Sequence, residues 1–329
     1  IGNSGPLPDP RYNHEAVIDQ GAEQMVVFGG GSDEMHNDVW VLDLDPEPAW
    51  VEIPLTGDRP GVRRGHSMVL DPWHDRAVVF GGYSPAELYM RDTWLLDLSG
   101  TPQWTEAAVH EARRSHHAMV HDPVGDRLIA VGGSVEGEGL ANDVWQLPLA
   151  SRDGWSPLEV TGAAPIPRSR HAAVYDAANH RLVVFGGWSN APLDQTWALD
   201  LGPPATWEEL HPGGIPPVAR FGHSAVYDAV GQRMVVFGGY GLAGAFDDTW
   251  ALTLGTTPVW QRLDTSSPPG ARDQHAAVYD GKRRRMVVMG GLDDWANRLD
   301  DVWTLSLGAF PTWQQLHPTG GGPDGRYAH

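Results

Sequence analysis

One unit of about fifty residues recurs six times along this chain, and the recurrence restricts it to repeat architectures. Each unit reads Arg-x-x-His-x-x-x-x-Asp, a short turn, an apolar run, Gly-Gly, a variable loop, and Asp-x-Trp-x-Leu-x-Leu. A second Trp follows the first, and Gln195 replaces the Asp in the fourth unit. The histidines that mark the register are His14, His66, His117, His171, His223 and His275, and His329 stands at the next interval.

Each unit contains four segments with the patterns of short β-strands. In the fifth unit, HSAVYD has small and apolar residues with polar ends, and RMVVFGG contains a continuous apolar run, which is typical of a strand covered on both faces. DTWALTL alternates with period two, and VWQRL is more polar, as suits an outer edge. A four-stranded sheet with two apolar faces must stack on further copies, and radial stacking leaves only short, protected edges.

The apolar run before Gly-Gly and the Trp after it resemble the marks of the kelch-repeat family, over essentially the whole chain. The resemblance implies an all-β, six-bladed β-propeller of four-stranded antiparallel blades. It places the first strand of each unit at the central channel and the fourth strand at the rim. We expect residues 1–329 to form a single propeller domain. Residues 1–14 align with 316–329, for example Arg11 with Arg326, so an incomplete seven-bladed ring is the alternative, and the chain looks cut from a longer protein.

Charge and composition argue against several classes of partner. The net charge is −19, which disfavours binding to phosphate backbones and to anionic lipid, so we expect no nucleic acid and no membrane partner. The chain has no Cys, so disulfides, thiolate metal sites and Cys nucleophiles are excluded. No apolar run approaches the roughly 18 residues of a membrane span. We expect a monomer, and the acidity and lack of Cys suggest a secreted or periplasmic location.

Residues that recur in every unit are interpreted mainly as structural. The recurrent arginines should lie on the same face as the Asp that begins the third strand, so Arg–Asp pairs are expected. As a ring they could instead bind an anionic ligand, and Arg63, Arg168 and Arg220 are therefore candidate ligand-binding residues. The histidines are expected to be hydrogen bonded, because a wide channel separates neighbours beyond metal–ligand distances, and we predict no metal and no cofactor.

The loop after Gly-Gly varies most between units, and loops on a rigid scaffold are where function tends to lie. By resemblance, these loops and the arginine segments open on one face of the propeller. Aromatic residues that packing does not obviously require occur there, and they are candidate ligand-binding residues: Tyr83, Tyr89, Trp188, Tyr240, Phe246 and Trp295. Such rings suit a contact with a protein or a carbohydrate. The alternative is that they fold back and cap the blade edges.

These features favour a non-catalytic binding scaffold that contacts a protein or a glycan through its loop face. One alternative is a carbohydrate-processing enzyme with a site at the mouth of the central channel. Another is a structural module of a longer multidomain protein. Enzymes of this fold include copper radical oxidases, which need a Cys, and epimerases, which use a carboxylate and arginines around the channel. Glu15 lies beside His14, but nothing in the sequence singles it out, and no catalytic residue is assigned.

Overall fold

A computed structural model describes residues 6–44, 46–150 and 154–320. Within these ranges the structure is a six-bladed propeller, and each blade has a four-stranded antiparallel sheet at its centre. The comparison of the two chain ends, which includes Arg326 and His329, depends on residues that lie outside the described ranges.

Blade 1 contains β1 (Glu15–Asp19), β2 (Gln24–Phe28), β3 (Val39–Asp43) and β4 (Ala49–Glu52). Blade 2 contains β5 (Ser67–Asp71), β6 (Arg76–Phe80), a loop hairpin of β7 (Tyr83–Ser84) and β8 (Leu88–Tyr89), then β9 (Asp92–Asp97) and β10 (Gln103–Val109). Blade 3 contains β11 (Arg114–Ser115), β12 (Ala118–Asp122), β13 (Arg127–Val135), β14 (Gly139–Pro148) and β15 (Ser156–Pro157).

Blade 4 contains β16 (Val160–Gly162), β17 (Ala172–Asp176), β18 (Arg181–Phe185), β19 (Thr196–Asp200) and β20 (Ala205–Leu210). Blade 5 contains β21 (Gly213–Gly214), β22 (Ser224–Asp228), β23 (Arg233–Phe237), the short hairpin of β24 (Tyr240–Gly241) and β25 (Gly244–Ala245), β26 (Thr249–Thr253) and β27 (Val259–Arg262). Blade 6 contains β28 (Ala276–Asp280), β29 (Arg285–Met289), β30 (Val302–Ser306) and β31 (Trp313–Leu316), and β32 (Thr319–Gly320) follows it.

Every blade follows the same path, which blade 2 illustrates. β5 begins just after His66 and runs to a turn at 72–75, and β6 returns antiparallel to Gly81 and Gly82. The turn is held by Asp71, which accepts a hydrogen bond from Arg76 Nε at 2.8 Å. The segments before the first strands and the loops after Gly-Gly therefore share one face, which we call the loop face. The turns that include 72–75 lie on the opposite face.

The ring is closed between the first and last blades. The first strands of the blades contact one another in order around the channel, and β1 contacts β28. Met25 and Val27 of blade 1 share a hydrophobic cluster with Val287 of blade 6. β32 pairs in parallel with β4, with Thr319 opposite Ala49. The described residues thus form six blades, and the seven-bladed alternative is not observed.

Tryptophans at the two recurrent positions pack the blades together. The first Trp of blade 2, Trp94, donates a hydrogen bond from Nε1 to Asp92 at 2.6 Å. The second, Trp104, packs on Phe28 of blade 1 with ring centres 4.9 Å apart. Equivalent contacts join Phe80 to Trp155, Phe185 to Trp260 and Phe237 to Trp313. Large aromatic surfaces are buried at these boundaries, and this burial supplies much of the apolar contact that holds neighbouring blades.

Candidate functional site: the mouth of the central channel

The glycine pair lets each blade approach its neighbour closely. Gly82 donates its N–H to the carbonyl of Arg114 in the next blade at 2.9 Å, and Gly291 donates likewise to Arg11, which completes the circle. Gly81 has φ of 65°, and a Cβ there would lie 2.6 Å from the carbonyl oxygen of Arg114. No side chain fits in that space, so only glycine allows the approach. This contact fixes where the following loop leaves the blade.

The recurrent arginine of each unit is buried and forms hydrogen bonds with the Gly-Gly segment and with the acceptor residue that lies two positions before the first Trp; we call this arrangement the clamp. Arg63 donates to both carboxylate oxygens of Asp92, at 2.9 and 2.7 Å, and to the carbonyl of Gly81 at 2.9 Å. Burial acts to raise the pKa of Asp92, but the hydrogen bond and charge of Arg63 lower it overall. The two-pronged clamp recurs as Arg11–Asp38, Arg63–Asp92, Arg114–Asp143, Arg220–Asp248 and Arg272–Asp301. The Arg–Asp pairs expected from the sequence are therefore present.

The fourth blade makes a neutral version of the clamp. Arg168 donates to Gln195 Oε1 at 2.7 Å and to the carbonyl of Gly186 at 3.0 Å. Burial lowers the pKa of Arg168 to about 10, and the charge of Glu209 partly offsets this effect. Arg63, Arg168 and Arg220 are all at most 1% exposed. Their role as ligand-binding residues stays a prediction, and the geometry favours a supporting role, because their donors are directed at protein groups.

The recurrent histidines pack beneath the loops. The ring of His66 lies edge-on to Phe28 of the preceding blade, with centres 5.2 Å apart, and Phe80–His117 and Phe237–His275 repeat this arrangement. Burial, followed by the charge of Arg11, lowers the pKa of His14 to about 3, so this imidazole is neutral at neutral pH. Across residues 6–44, 46–150 and 154–320, no group of three or more His, Asp and Glu side chains is arranged to hold a metal ion.

The residue before each histidine forms a closed circle of backbone hydrogen bonds, which we call the inner ring. Each member has a positive φ and donates its N–H to the carbonyl of the equivalent residue in the preceding blade, at 2.7 to 2.9 Å. Asn13 donates to Gln274 at 2.9 Å, and this bond closes the circle between blades 6 and 1. The members are Asn13, Gly65, His116, Arg170, Gly222 and Gln274.

The residue after each recurrent arginine pairs with the residue after Gly-Gly. Antiparallel bridges join Arg64 to Tyr83, Ser169 to Trp188, and Phe221 to Tyr240. Together with the inner ring, this pairing means that each unit presents up to three variable residues around the channel on the loop face. The arginine, the histidine and the glycines hold the backbone that carries them.

A cavity of about 570 Å³ opens there, and we call it the mouth. Its walls combine aromatic rings with cationic, amide and hydroxyl groups. The main lining residues are Tyr12, Arg64, Tyr83, Tyr89, His116, Arg170, Trp188, Phe221 and Gln274.

Two guanidinium groups are held in the mouth by aromatic rings. Arg64 donates a hydrogen bond to the hydroxyl of Tyr12 and lies 5.3 and 5.6 Å from the ring centres of Tyr12 and Tyr83. Arg170 lies 5.7 Å from the ring centre of Phe221. Burial lowers the pKa of Arg170, and the charge of Asp273 acts against this effect. Cations over aromatic faces are stabilised by the ring quadrupole, so both groups are oriented before any ligand arrives.

Three of the predicted aromatic residues come together in the mouth. Tyr83 and Tyr89 pair across the β7–β8 hairpin with ring centres 5.7 Å apart, and both line the cavity. Trp188 lines it from blade 4 and lies 5.2 Å from Phe221. Tyr240 lies on the other side of Phe221, at 5.8 Å. The loop face thus carries two aromatic groups, the Tyr83–Tyr89 pair from blade 2 and the Trp188–Phe221–Tyr240 cluster from blades 4 and 5.

The other two aromatic candidates lie elsewhere. Phe246 folds back beneath its loop, where its ring centre is 4.1 Å from the guanidinium of Arg220, as the capping alternative expects. Trp295 is 85% exposed on the loop of blade 6 and is not among the residues that line the mouth. These positions favour a supporting role for Phe246 and leave Trp295 free to contact a partner at the edge of the loop face.

Sequence reasoning missed several mouth residues, most clearly Tyr12, Arg64, Arg170 and Phe221. All four occupy the two variable positions inside Arg-x-x-His. The sequence signal that could have identified them is the variation at these two positions, which lie between an Arg and a His that recur in every unit.

The closed ring, the glycine pairs, the arginine clamps and the paired tryptophans define a kelch-type β-propeller with a mouth built from variable residues. A family model described as the KLHDC2/KLHL20/DRC7 Kelch-repeats domain matches residues 2–153 and 116–329, and the chain belongs to the kelch-repeat family.

The chain is also similar to curated proteins. It is 28% identical to host cell factor 1 of Homo sapiens over 93% of its length, and 29% identical to host cell factor 2 of Homo sapiens over 95%. It is 31% identical to putative adagio-like protein 2 of Oryza sativa subsp. japonica over 78%. It spans 17%, 44% and 43% of those three proteins, respectively, so each is much longer than the matched region. Within the described residues, we find no helix with the length and apolar character to cross a membrane.

Proposed function

We propose that this propeller is a non-catalytic protein-binding scaffold that holds a segment of a partner protein in the mouth. The observation that carries the proposal is the gathering of Tyr83, Tyr89, Trp188, Arg64 and Arg170 around one cavity of about 570 Å³. Trp, Tyr and Arg are the residue types that dominate the binding energy of protein interfaces. Membership of the kelch-repeat family supports a binding role, although a shared fold alone does not determine function.

The mouth is well suited to bind without rearrangement. Its lining residues project from a backbone that is fixed by the inner ring, the arginine clamps and the bridges after Gly-Gly. A binding surface that is already ordered loses little conformational entropy when its partner arrives, so more of the contact energy appears as affinity.

The two guanidinium groups indicate what the segment contains. None of the described residues that line the mouth is Asp or Glu, whereas Arg64 and Arg170 both reach it. Guanidinium groups form short, charge-assisted hydrogen bonds with carboxylates, and the aromatic walls accept apolar side chains. We infer that the bound segment carries an Asp or Glu side chain flanked by apolar residues.

The other functions gain less support. Glycoside hydrolysis ordinarily uses two carboxyl groups flanking the scissile bond, and the described lining of the mouth offers none. A glycan stacked on Trp188 is a different binding partner for the same cavity, and the experiment below distinguishes it.

A random peptide library displayed on phage, selected on the purified propeller, tests the proposal. We expect the selected peptides to be enriched in acidic and apolar residues. Their affinity should fall at least tenfold for the double variant Arg64→Met/Trp188→Ala, because interface truncations of this kind cost about 1–2 kcal/mol each. Trp73→Ala is the matched control, since Trp73 is exposed on the opposite face.

Thermal unfolding must first show that all three proteins are folded. Peptides that bind the double variant as tightly as the wild type would contradict the proposal. A glycan array that gives specific binders lost in the double variant, while the peptide library gives none, would assign the mouth to carbohydrate.

A further inference from the structure

A second, smaller cavity lies directly beneath the mouth, and we call it the chamber. Its volume is about 90 Å³, which exceeds the 10–15 Å³ that one water needs and is enough for a short aliphatic chain. Four inner-ring residues line both cavities, namely Asn13, His116, Arg170 and Gln274. The chamber therefore opens into the mouth through the inner ring.

Glu15 is the one carboxylate among the described residues that line the chamber. It opens strand β1, directly after His14. The equivalent positions in the other five blades hold small residues, namely Ser67, Ala118, Ala172, Ser224 and Ala276. A single blade has thus placed a charged side chain where the repeat otherwise uses Ser or Ala.

The fold gives this carboxylate no counter-ion. In the described part of the chain, no hydrogen bond or ion pair is found for the Glu15 side chain, and burial alone raises its pKa to about 8. The other titratable groups that line the chamber are His14, His66, His116, His117, His171, His223, His275 and Arg170. Burial lowers the pKa of each of these histidines, so they are neutral at neutral pH.

Glu15 supplies the one negatively charged acceptor among the described residues that line the chamber. The inner-ring N–H groups already donate to carbonyls around the circle. Both ring nitrogens of His14, His66 and His171 are buried. The acceptors open to a cation include the Glu15 carboxylate and the inner-ring carbonyl oxygens, each of which keeps a second lone pair. Arg170, the one cation among the described residues that line the chamber, lies against Phe221, which lines the mouth, and is influenced by the charge of Asp273.

We propose that the chamber is a cation-accepting subsite, in which ionised Glu15 pairs with a primary ammonium group on a short aliphatic chain that enters through the mouth. The occupant has the chemistry of a lysine side chain: a flexible stem that passes the inner ring and a compact charge with three donors. An unpaired, partly buried carboxylate is unfavourable, and an opposite charge within hydrogen-bond distance reduces that penalty. The subsite does not depend on which partner occupies the mouth.

Calorimetric titration of the purified protein with n-butylammonium, at pH 7 and pH 9, tests the proposal. Binding requires Glu15 to lose its proton, so affinity should be about tenfold higher at pH 9, while the probe stays charged at both values. Titrations in buffers of different ionisation enthalpy should show release of nearly one proton per probe at pH 7 and little release at pH 9.

Glu15→Gln should abolish this binding while the protein still folds, as thermal unfolding will show. Glu106→Gln, on the exposed outer strand of blade 2, should leave it unchanged. n-Butanol, which lacks the charge, should bind at least tenfold more weakly. No binding of n-butylammonium, binding that strengthens toward low pH, or binding that survives Glu15→Gln would each overturn the proposal. The proton-release result uses only the wild-type protein, so it stands even where a variant is unstable.

Discussion

Arg63 and Arg64 are neighbours in the chain, but they belong to different parts of the molecule. Arg63 is fully buried, and its guanidinium donates to Asp92 and to the carbonyls of Gly61 and Gly81. Arg64 reaches into the mouth between two tyrosine rings. We call the recurrent arginines, histidines, glycine pairs and tryptophans the frame. The frame fixes the backbone, so the residues between its members can vary without altering the fold, and stability should be separable from binding.

The most direct test of this separation is to replace each arginine in turn and to compare the effects on the free energy of unfolding. Arg63→Met leaves Asp92 without its counter-ion and removes the Arg63 donor from the Gly81 carbonyl, and we expect a loss of about 3–5 kcal/mol in the free energy of unfolding. Arg64→Met removes a partly exposed side chain, and the expected loss is less than about 1 kcal/mol. Chemical denaturation of both variants measures the difference. Similar losses in the two variants would show that frame and mouth are not separable.

A substitution in the glycine pair should cause the next largest loss of stability. Gly81→Ala places a methyl group 2.6 Å from the Arg114 carbonyl oxygen at a positive φ, and strain and overpacking together should cost about 3 kcal/mol. Gly100→Ala is the matched control, because a Cβ at Gly100 meets no atom within 4 Å and its φ is not positive. Its stability should change by less than about 0.5 kcal/mol. If Gly81→Ala is equally harmless, the backbone of Gly81 does not lie as close to Arg114 as the distance of 2.6 Å requires.

Much of the frame could be predicted from the sequence, because its members recur at fixed spacing and each has a local physical reason. The Gly-Gly pair and the Arg–Asp pairs are examples. Tyr83 and Trp188 were also predicted, since they follow Gly-Gly directly. Arg64 and Arg170 were not, because their position at the mouth depends on the inner ring and on the closing of all six blades. The environment of Glu15 depends on the same closure, so nothing local to blade 1 reveals it.

Glu15 directly follows His14 of the frame, and its ionisation makes the stability of the protein depend on pH. Its pKa is raised from 4.5 to about 8, so the native state holds this proton more tightly than the unfolded state. Its ionisation therefore costs nothing below pH 4.5, destabilises the fold increasingly as pH rises to 8, and has its full effect above that value.

Glu15→Gln should accordingly match the wild type near pH 4 and be more stable by about 2 kcal/mol at pH 9. The full pKa shift, at about 1.4 kcal/mol per unit, sets an upper limit, and the expected gain is less than half of that limit because water reaches the chamber. Urea denaturation from pH 4 to 9 gives the profile, and Glu106→Gln should follow the wild type throughout. A constant difference across the whole range would mean that the variant acts through packing rather than ionisation.

The smallest expected effect lies in blade 4, where the frame itself departs from its pattern. Gln195 supplies one neutral acceptor to Arg168, and Trp197 Nε1 is left without the Asp oxygen that other blades provide.

Glu209 is the acid that acts on the charge of Arg168, and Gln195 Nε2 donates to it at 3.3 Å. Glu209→Gln should therefore lower the free energy of unfolding by about 1 kcal/mol or less, because a partly buried charge pair is lost. Glu52→Gln, which is exposed in blade 1 and lies beside a complete Arg11–Asp38 clamp, should have no measurable effect. A loss that appears for both would assign the effect to outer-strand charge in general, whereas a loss confined to Glu209 would show that blade 4 has moved the counter-ion of its clamp from the third strand to the fourth.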